Sequence, residues 1–189
     1  MEAKSTRKRW TYSEFARLPS EGSTRHEVID GEVVVTPGPS TRHQRVVGRL
    51  FSGLFVFVEA NDLGEVFPSP YDVLFAEGDY LEPDIVFVSA NRSHLVSDRG
   101  VEGPPDLVVE VVSPATSARD RGIKLERYRL YGVAQYWVVD PDERTVEVWD
   151  LEGGASEAVV LGAADTLRWT PIPGAATLEL FLPELFETV

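Results

Sequence analysis

Two short, almost wholly apolar runs each carry a carboxylate, and this narrows the folds open to the chain more than any other feature. In EPDIVFV, residues 82–88, Asp84 opens an apolar run; in DLVVEVV, residues 106–112, Glu110 sits between Val109 and Val111. Runs this rich in β-branched residues read as strands, and strands apolar on both sides lie in the middle of a sheet covered on both faces. Alternation puts Asp106, Val108, Glu110 and Val112 on one face. A carboxylate there costs free energy unless it is paired, hydrogen-bonded or bound to a metal. One such acid is ordinary as a strand-end charge that reaches water or an arginine. Two of them, on two strands and followed by a basic segment, point to chemistry.

The rest of the chain supplies the frame. Thr11-x-x-Glu14 is a capping box that predicts a short helix over SEFARL, stopped near Pro19. RHEVIDGEVVV predicts a hairpin turning at Asp30-Gly31. Thr41-x-x-Gln44 reads as a second capping box. Behind it Val46, Val47, Leu50, Phe51, Leu54, Phe55 and Val58 recur at helical spacing, so 41–60 is predicted as a buried amphipathic helix. Strands are predicted over 65–75, 84–88, 107–112, 135–140 and 145–150, and a helix over 117–132 ending at Gly132. Residues 151–166 read as a loop and late strand, and LELFLPELF as a terminal helix broken before Pro183. The order implies an α/β fold, a mixed sheet with helices on both faces, preceded by a hairpin.

The length, 189 residues, suits one domain spanning 1–189, with 1–10 expected to be flexible. There is no cysteine, which excludes disulfides and thiolate metal sites and fits a cytoplasmic protein. The longest apolar run, LFVFV at 54–58, is too short to span a bilayer, so no membrane partner is expected. The net charge of −13 argues against a nucleic-acid partner at first sight. It is unevenly spread, however: residues 1–50 carry nine Lys/Arg and six Asp/Glu, while 51–189 carry nine and 25. Arg119, Arg121, Lys124, Arg127 and Arg129 form a locally basic stretch. That stretch reads either as a solvated helix face, supported by Asp120 and Lys124 at i,i+4, or with residues 4–9 as a source of phosphate contacts.

Metal chemistry gives the two acids a purpose. Mg²⁺ or Mn²⁺ takes hard oxygen ligands, and Mg²⁺ usually keeps several waters. Two carboxylates on neighbouring strands plus a backbone carbonyl would hold such an ion and leave room for water and phosphate. A lysine beside it would stabilise developing negative charge.

These stretches resemble the PD-(D/E)XK nuclease superfamily, the restriction-endonuclease-like fold, and more closely the large bacterial family of Uma-type endonucleases. The resemblance rests on HEVIDGEVV (26–34), His43 at the head of the long helix, EPDIVFV (82–88) and PPDLVVEVVSPATSARDRGIKLERYRLYGVAQYWVVDP (104–141). It implies a mixed central sheet flanked by helices with an added N-terminal hairpin. It also implies a metal-dependent endonuclease acting on DNA, with Mg²⁺ or Mn²⁺ held by Asp84, Glu110 and the carbonyl of Val111. The superfamily pattern puts lysine where this chain has Val112; in the closer family the lysine lies on the following helix, which here means Lys124. Glu27 either adds a carboxylate to the cluster or is a structural hairpin charge. His43 is either a hydrogen-bonder at the helix start or a support for the site, and Asp120 would orient Lys124. Many proteins of this fold are homodimers. Two further readings stay open: a catalytically inactive binding module that retains the nuclease fold, motivated by Val112 and the net charge, and hydrolysis of a smaller phosphate ester.

Overall fold

The computed structural model describes residues 10–18, 24–76 and 78–187. Helix α1 (Tyr12–Phe15) carries both halves of the expected capping box, with Thr11 Oγ1 accepting from Glu14 N and Glu14 Oε2 accepting from Thr11 N. Strands β1 (Arg25–Ile29) and β2 (Glu32–Thr36) form the expected hairpin. Asp30 and Gly31 take the positive φ values, 52° and 81°, that its two-residue turn requires. Helix α2 (Thr41–Ala60) has the predicted bounds, but its cap is Ser40, whose hydroxyl accepts from His43 N, so the capping residue lies one position earlier than expected.

The run expected as one strand over 65–75 is two: β3 (Gly64–Pro68) and β4 (Val73–Ala76), in different sheets. Pro68 and Pro70 have no N–H to give a ladder, so the chain leaves the sheet between them. Strands β5 (Asp79–Leu81), β6 (Ile85–Ser89), β7 (Val96–Ser97), β8 (Gly100–Val101) and β9 (Leu107–Val111) follow, with a 3₁₀ turn over Ala90–Leu95. The helix predicted over 117–132 is composite. It comprises α3 (Ser117–Arg119), a π-helical turn over Asp120–Lys124, and α4 (Leu125–Tyr131), ended by Gly132 at φ 83°. Strands β10 (Gln135–Asp140), β11 (Thr145–Asp150), β12 (Val159–Leu161), β13 (Thr166–Trp169) and β14 (Leu178–Phe181) precede α5 (Leu182–Leu185). LELFLPELF is thus a strand and then a short helix. Its first four residues alternate half-buried and exposed, which is strand periodicity.

The central sheet runs β12-β11-β10-β9-β6-β3, with β9 and β10 parallel and the other pairs antiparallel. The hairpin is not an appendage to it. It joins β5, β4, β8 and β7 in a second six-stranded sheet, β2-β1-β5-β4-β8-β7. Alternation along β9 sorts the core. Leu107, Val109 and Val111 pack toward α2 with Leu50, Leu54 and Trp137, while Val108 and Val112 pack with Tyr128 and Tyr136, and with Ile29 and Leu81 of the second sheet. The central sheet is therefore covered by α2 on one face, and by α4 and the second sheet on the other. Residue 10 departs from the expected flexible terminus: Trp10 packs on the cluster of Phe15, Val28, Leu74 and Tyr80. Residues 1–9, with the basic residues at 4–9, lie outside the described residues. Among the described residues no helix is long and apolar enough to cross a membrane.

Candidate active site

Asp84 stands immediately before β6, beside the end of β9, and is 1% exposed. Its oxygens tie three elements together. Oδ1 accepts from Arg25 of β1 at 2.6 Å; Oδ2 accepts from the backbone N–H of Val111 at 2.7 Å and lies 3.1 Å from His43 Nε2 on α2. Val111 is free to make this bond because the β6–β9 ladder ends at the Ile85–Val109 pair. Burial alone would raise the Asp84 carboxyl; the His43 hydrogen bond, the Arg25 charge and the Val111 N–H outweigh it and hold it below the ordinary range.

Glu110, which the β6–β9 register places opposite Asp84, enters a second knot of charge. Its Oε1 accepts from Lys124 Nζ at 2.7 Å and from the Tyr128 hydroxyl at 2.8 Å. Lys124 Nζ also lies 2.7 Å from Glu27 Oε1 and 3.7 Å from Asp120 Oδ1. Glu27 in turn accepts from the backbone of Glu82, 3.0 Å away. Burial opposes the charge on Lys124, but Glu110, Glu27 and Asp120 together raise its pKa, so it is an ammonium and not a base. Burial pushes Glu110 up from 4.5 to about 8, against the pull of Lys124 and helped by Asp120 and Glu27.

That shift predicts a pH dependence. A carboxyl whose folded value is raised adds stability that is complete below its unfolded value and is lost as pH climbs through the folded one. In metal-free buffer the protein should therefore lose stability as pH rises from about 4.5 to about 8, and Glu110→Gln should make that decline shallower. Glu82, raised to about 7 chiefly by burial, supplies part of the remainder. Urea midpoints at pH 5, 6.5 and 8 read the effect; identical slopes in the two proteins would refute it.

All the sequence-predicted site residues, Glu27, Asp84, Glu110, Val111 and Lys124, line one cavity of about 320 Å³ together with Arg25, His43, Arg119 and Asp120. By formal charge four acids (27, 84, 110, 120) face three fixed cations (25, 119, 124), and the proton that the raised Glu110 holds near neutral pH brings the cavity closer to balance. Sequence reasoning missed Arg25 and Arg119. Arg25 lies two residues from Glu27 on β1 and so shares its face, which was the one local signal available. Tyr128, read as core, packs as core and also donates to Glu110. Most of the basic stretch is not a solvated face, although Arg129 is exposed. Arg121 is held by Asp140 and Glu147, Arg127 by Asp30, and Arg129 by the Ala155 carbonyl, so these cations are engaged within the fold.

Whether a cation fits follows from the lone pairs. Each carboxylate oxygen accepts about two hydrogen bonds. Asp84 Oδ2 and Glu110 Oε1 each take two, Asp84 Oδ1 takes one, and Glu110 Oε2 takes none among the described residues. Among those residues no group of three or more His, Asp or Glu could hold a metal by itself. Acceptor capacity is therefore left on Asp84 Oδ1, which Arg25 shares, and on Glu110 Oε2, and Mg²⁺ takes oxygen donors of this kind with waters completing its shell.

Comparison with known proteins bears on the family and the fold. Residues 12–180 match the model of a family described as "Uma2: Putative restriction endonuclease". An uncharacterized protein of Synechocystis sp., sll1609, is 25% identical over 137 residues, 71% of this chain and 77% of its own. The crystal structure of a "putative nuclease belonging to DUF820" from Anabaena variabilis superposes with a TM-score of 0.75 at 25% identity, covering 93% of this chain and 97% of that one. The family model spans nearly the whole chain, and the chain belongs to the Uma2 family of restriction-endonuclease-like proteins.

Proposed function

We propose that the protein is a Mg²⁺- or Mn²⁺-dependent endonuclease that hydrolyses phosphodiester bonds in DNA at the Asp84–Glu110–Lys124 cavity. The observation that carries this reading is the leftover acceptor capacity of two buried carboxylates on one cavity wall, with a permanently charged lysine 2.7 Å from one of them. Asp84 and Glu110, with the Val111 carbonyl, would hold the ion, which supplies a water of lowered pKa and neutralises phosphate charge. Lys124 donates: its Nζ lies 2.7 Å from both Glu27 and Glu110 and walls the cavity, where an N–H can reach a phosphate oxygen as charge builds. Arg25 neutralises Asp84 in the metal-free state and fixes its orientation, while Tyr128 and Glu27 hold Glu110 and Lys124 in register. The protein is proposed to work in the cytoplasm, and a homodimer would suit the cutting of two strands.

Purified protein is expected to cut plasmid DNA in Mn²⁺ and Asp84→Asn to cut at least a hundredfold more slowly, on the order of the effect of removing a positioned charge at a reacting centre. Mn²⁺ should also raise the melting temperature of the wild type and not of Glu110→Gln. Equal cutting by wild type and Asp84→Asn would sink the assignment. A protein that neither cuts nor responds to metal would be a binding module that has kept the fold.

A further inference from the structure

With Arg119, Arg121, Lys124 and Arg127 engaged in internal pairs, a cluster of more accessible cations lies elsewhere. Arg42, Arg45 and Arg49 recur at i, i+3 and i+7 on α2 and so share one flank of the helix. With Arg144, from the turn between β10 and β11, they line a second cleft of about 260 Å³ that also contains Asp142 and Glu187. Four arginines against two acids leave this cleft at +2, in a chain whose net charge is −13.

The four arginines are not equivalent. Arg49 is fixed by hydrogen bonds to the carbonyls of Glu184, Leu185 and Glu187. Arg42 pairs with Asp142 at 2.6 Å, both more than half exposed, a contact that contributes little and exchanges readily. Arg45 and Arg144 are exposed, and neither side chain makes a hydrogen bond or ion pair with another described residue. Arg144 also sits at φ 56°, a left-handed conformation that glycine or asparagine adopts more easily. No contact within the fold accounts for an arginine there.

The two clefts share one helix. Ser40 and His43 face the cavity of Asp84 and Glu110, while Arg42, Arg45 and Arg49 face the neighbouring cleft. At 1.5 Å per residue the arginine row covers about 10 Å, the length of roughly three phosphates of one strand at 3.4 Å each.

We propose that this cleft carries the nucleic-acid backbone onward from the cavity, with Arg45 and Arg144 contacting phosphates outside the bond that is cut. The inference rests on the nuclease reading and names the path its substrate takes. Such contacts set register and affinity and carry no base sequence. They also account for how so acidic a chain holds a polyanion, since local potential and not net charge governs the approach.

The test is fluorescence anisotropy of a labelled DNA duplex with the full chain, in chelator to prevent cutting, over a series of salt concentrations. Arg45→Ala/Arg144→Ala should bind more weakly on every sequence, and the slope of log K against log salt should fall by about 2. Arg45→Lys/Arg144→Lys should recover most of the salt slope, and urea midpoints should match the wild type because both residues are exposed. Unchanged affinity and slope in the alanine pair would overturn the inference, as would a wild type that binds no DNA. Arginine-dependent binding by a protein that cuts nothing in Mn²⁺ would uphold the cleft and overturn the nuclease reading.

Discussion

Replacing Lys124 with methionine is expected to cost about 3–5 kcal/mol of folding free energy, the usual result of removing one partner from a buried ionic cluster. Methionine matches the length of the stem, so packing is preserved and charge is the variable. The loss leaves Glu27, Glu110 and Asp120 facing one another, all nearly excluded from solvent. For a chain of this size each kcal/mol moves the melting temperature by about 2–4 °C, so a fall of roughly 6–20 °C is expected. The three acids can relieve part of the strain by taking up protons, and burial already raises Glu110 and Asp120 in the wild type. The cost should therefore be smaller at pH 5 than at pH 8, and Glu27→Gln should restore part of the stability of Lys124→Met. Urea unfolding of both variants at the two pH values measures this. Equal losses at pH 5 and pH 8 would show that the lysine acts through packing.

The second large effect belongs to Asp84. Asp84→Ala removes the acceptor shared by three donors, the Arg25 guanidinium, His43 Nε2 and the Val111 N–H, and leaves Arg25 only its longer contacts with Glu82. Breaking a buried ion pair costs about 3–5 kcal/mol; the remaining Glu82 contact of Arg25 lowers that cost and the unsatisfied Val111 N–H adds to it, so a loss of about 3 kcal/mol or more is expected. Asp84→Asn keeps the shape and one acceptor, so it should cost less, about 1–3 kcal/mol, while removing the charge a metal needs. The native Asp84 is held below the ordinary carboxylate range, so its contribution is present above the unfolded value and is lost as pH falls through the folded one. The difference in stability between wild type and Asp84→Asn should accordingly narrow below about pH 4. Chemical denaturation across that range checks it, and a constant gap down to pH 2 would count against the ion pair with Arg25 as its source.

Much of this was legible in the residues, and the failures have physical reasons. The strands bearing Asp84 and Glu110 stood out because apolar runs interrupted by acid are costly and therefore informative. The long helix at 41–60 and the Asp30-Gly31 turn follow from periodicity and left-handed φ, both local properties. The second sheet was not legible as a sheet: β5, β7 and β8 have three, two and two residues, too short to show any period. Arg25 was missed because its partner, Asp84, is 59 positions away, and no local rule pairs residues at that distance. The arginines of 119–129 were visible as a basic stretch, but the acids that hold Arg121 (Asp140 and Glu147) and Arg127 (Asp30 and Asp79) come from other places in the chain.

The π-helical turn over Asp120–Lys124 has a consequence for how such a site can vary. In the parent pattern the lysine is tied to the acid by strand pleat, two positions on, and it cannot move without leaving the face. Here that position, Val112, is core packing against Tyr128 and Tyr136, and the ammonium arrives from a helix. Its placement depends on helical phase. One residue more or fewer between 110 and 124 would swing the lysine about 100° around the axis, at 3.6 residues per turn. The wider turn absorbs one such residue, and with it Asp120 and Lys124 both face the acids. The placement of this ammonium thus rests on spacing as well as residue type, and the loop that sets the spacing is itself fixed by the Ser113 N–H donating to Thr116 Oγ1 at 3.0 Å.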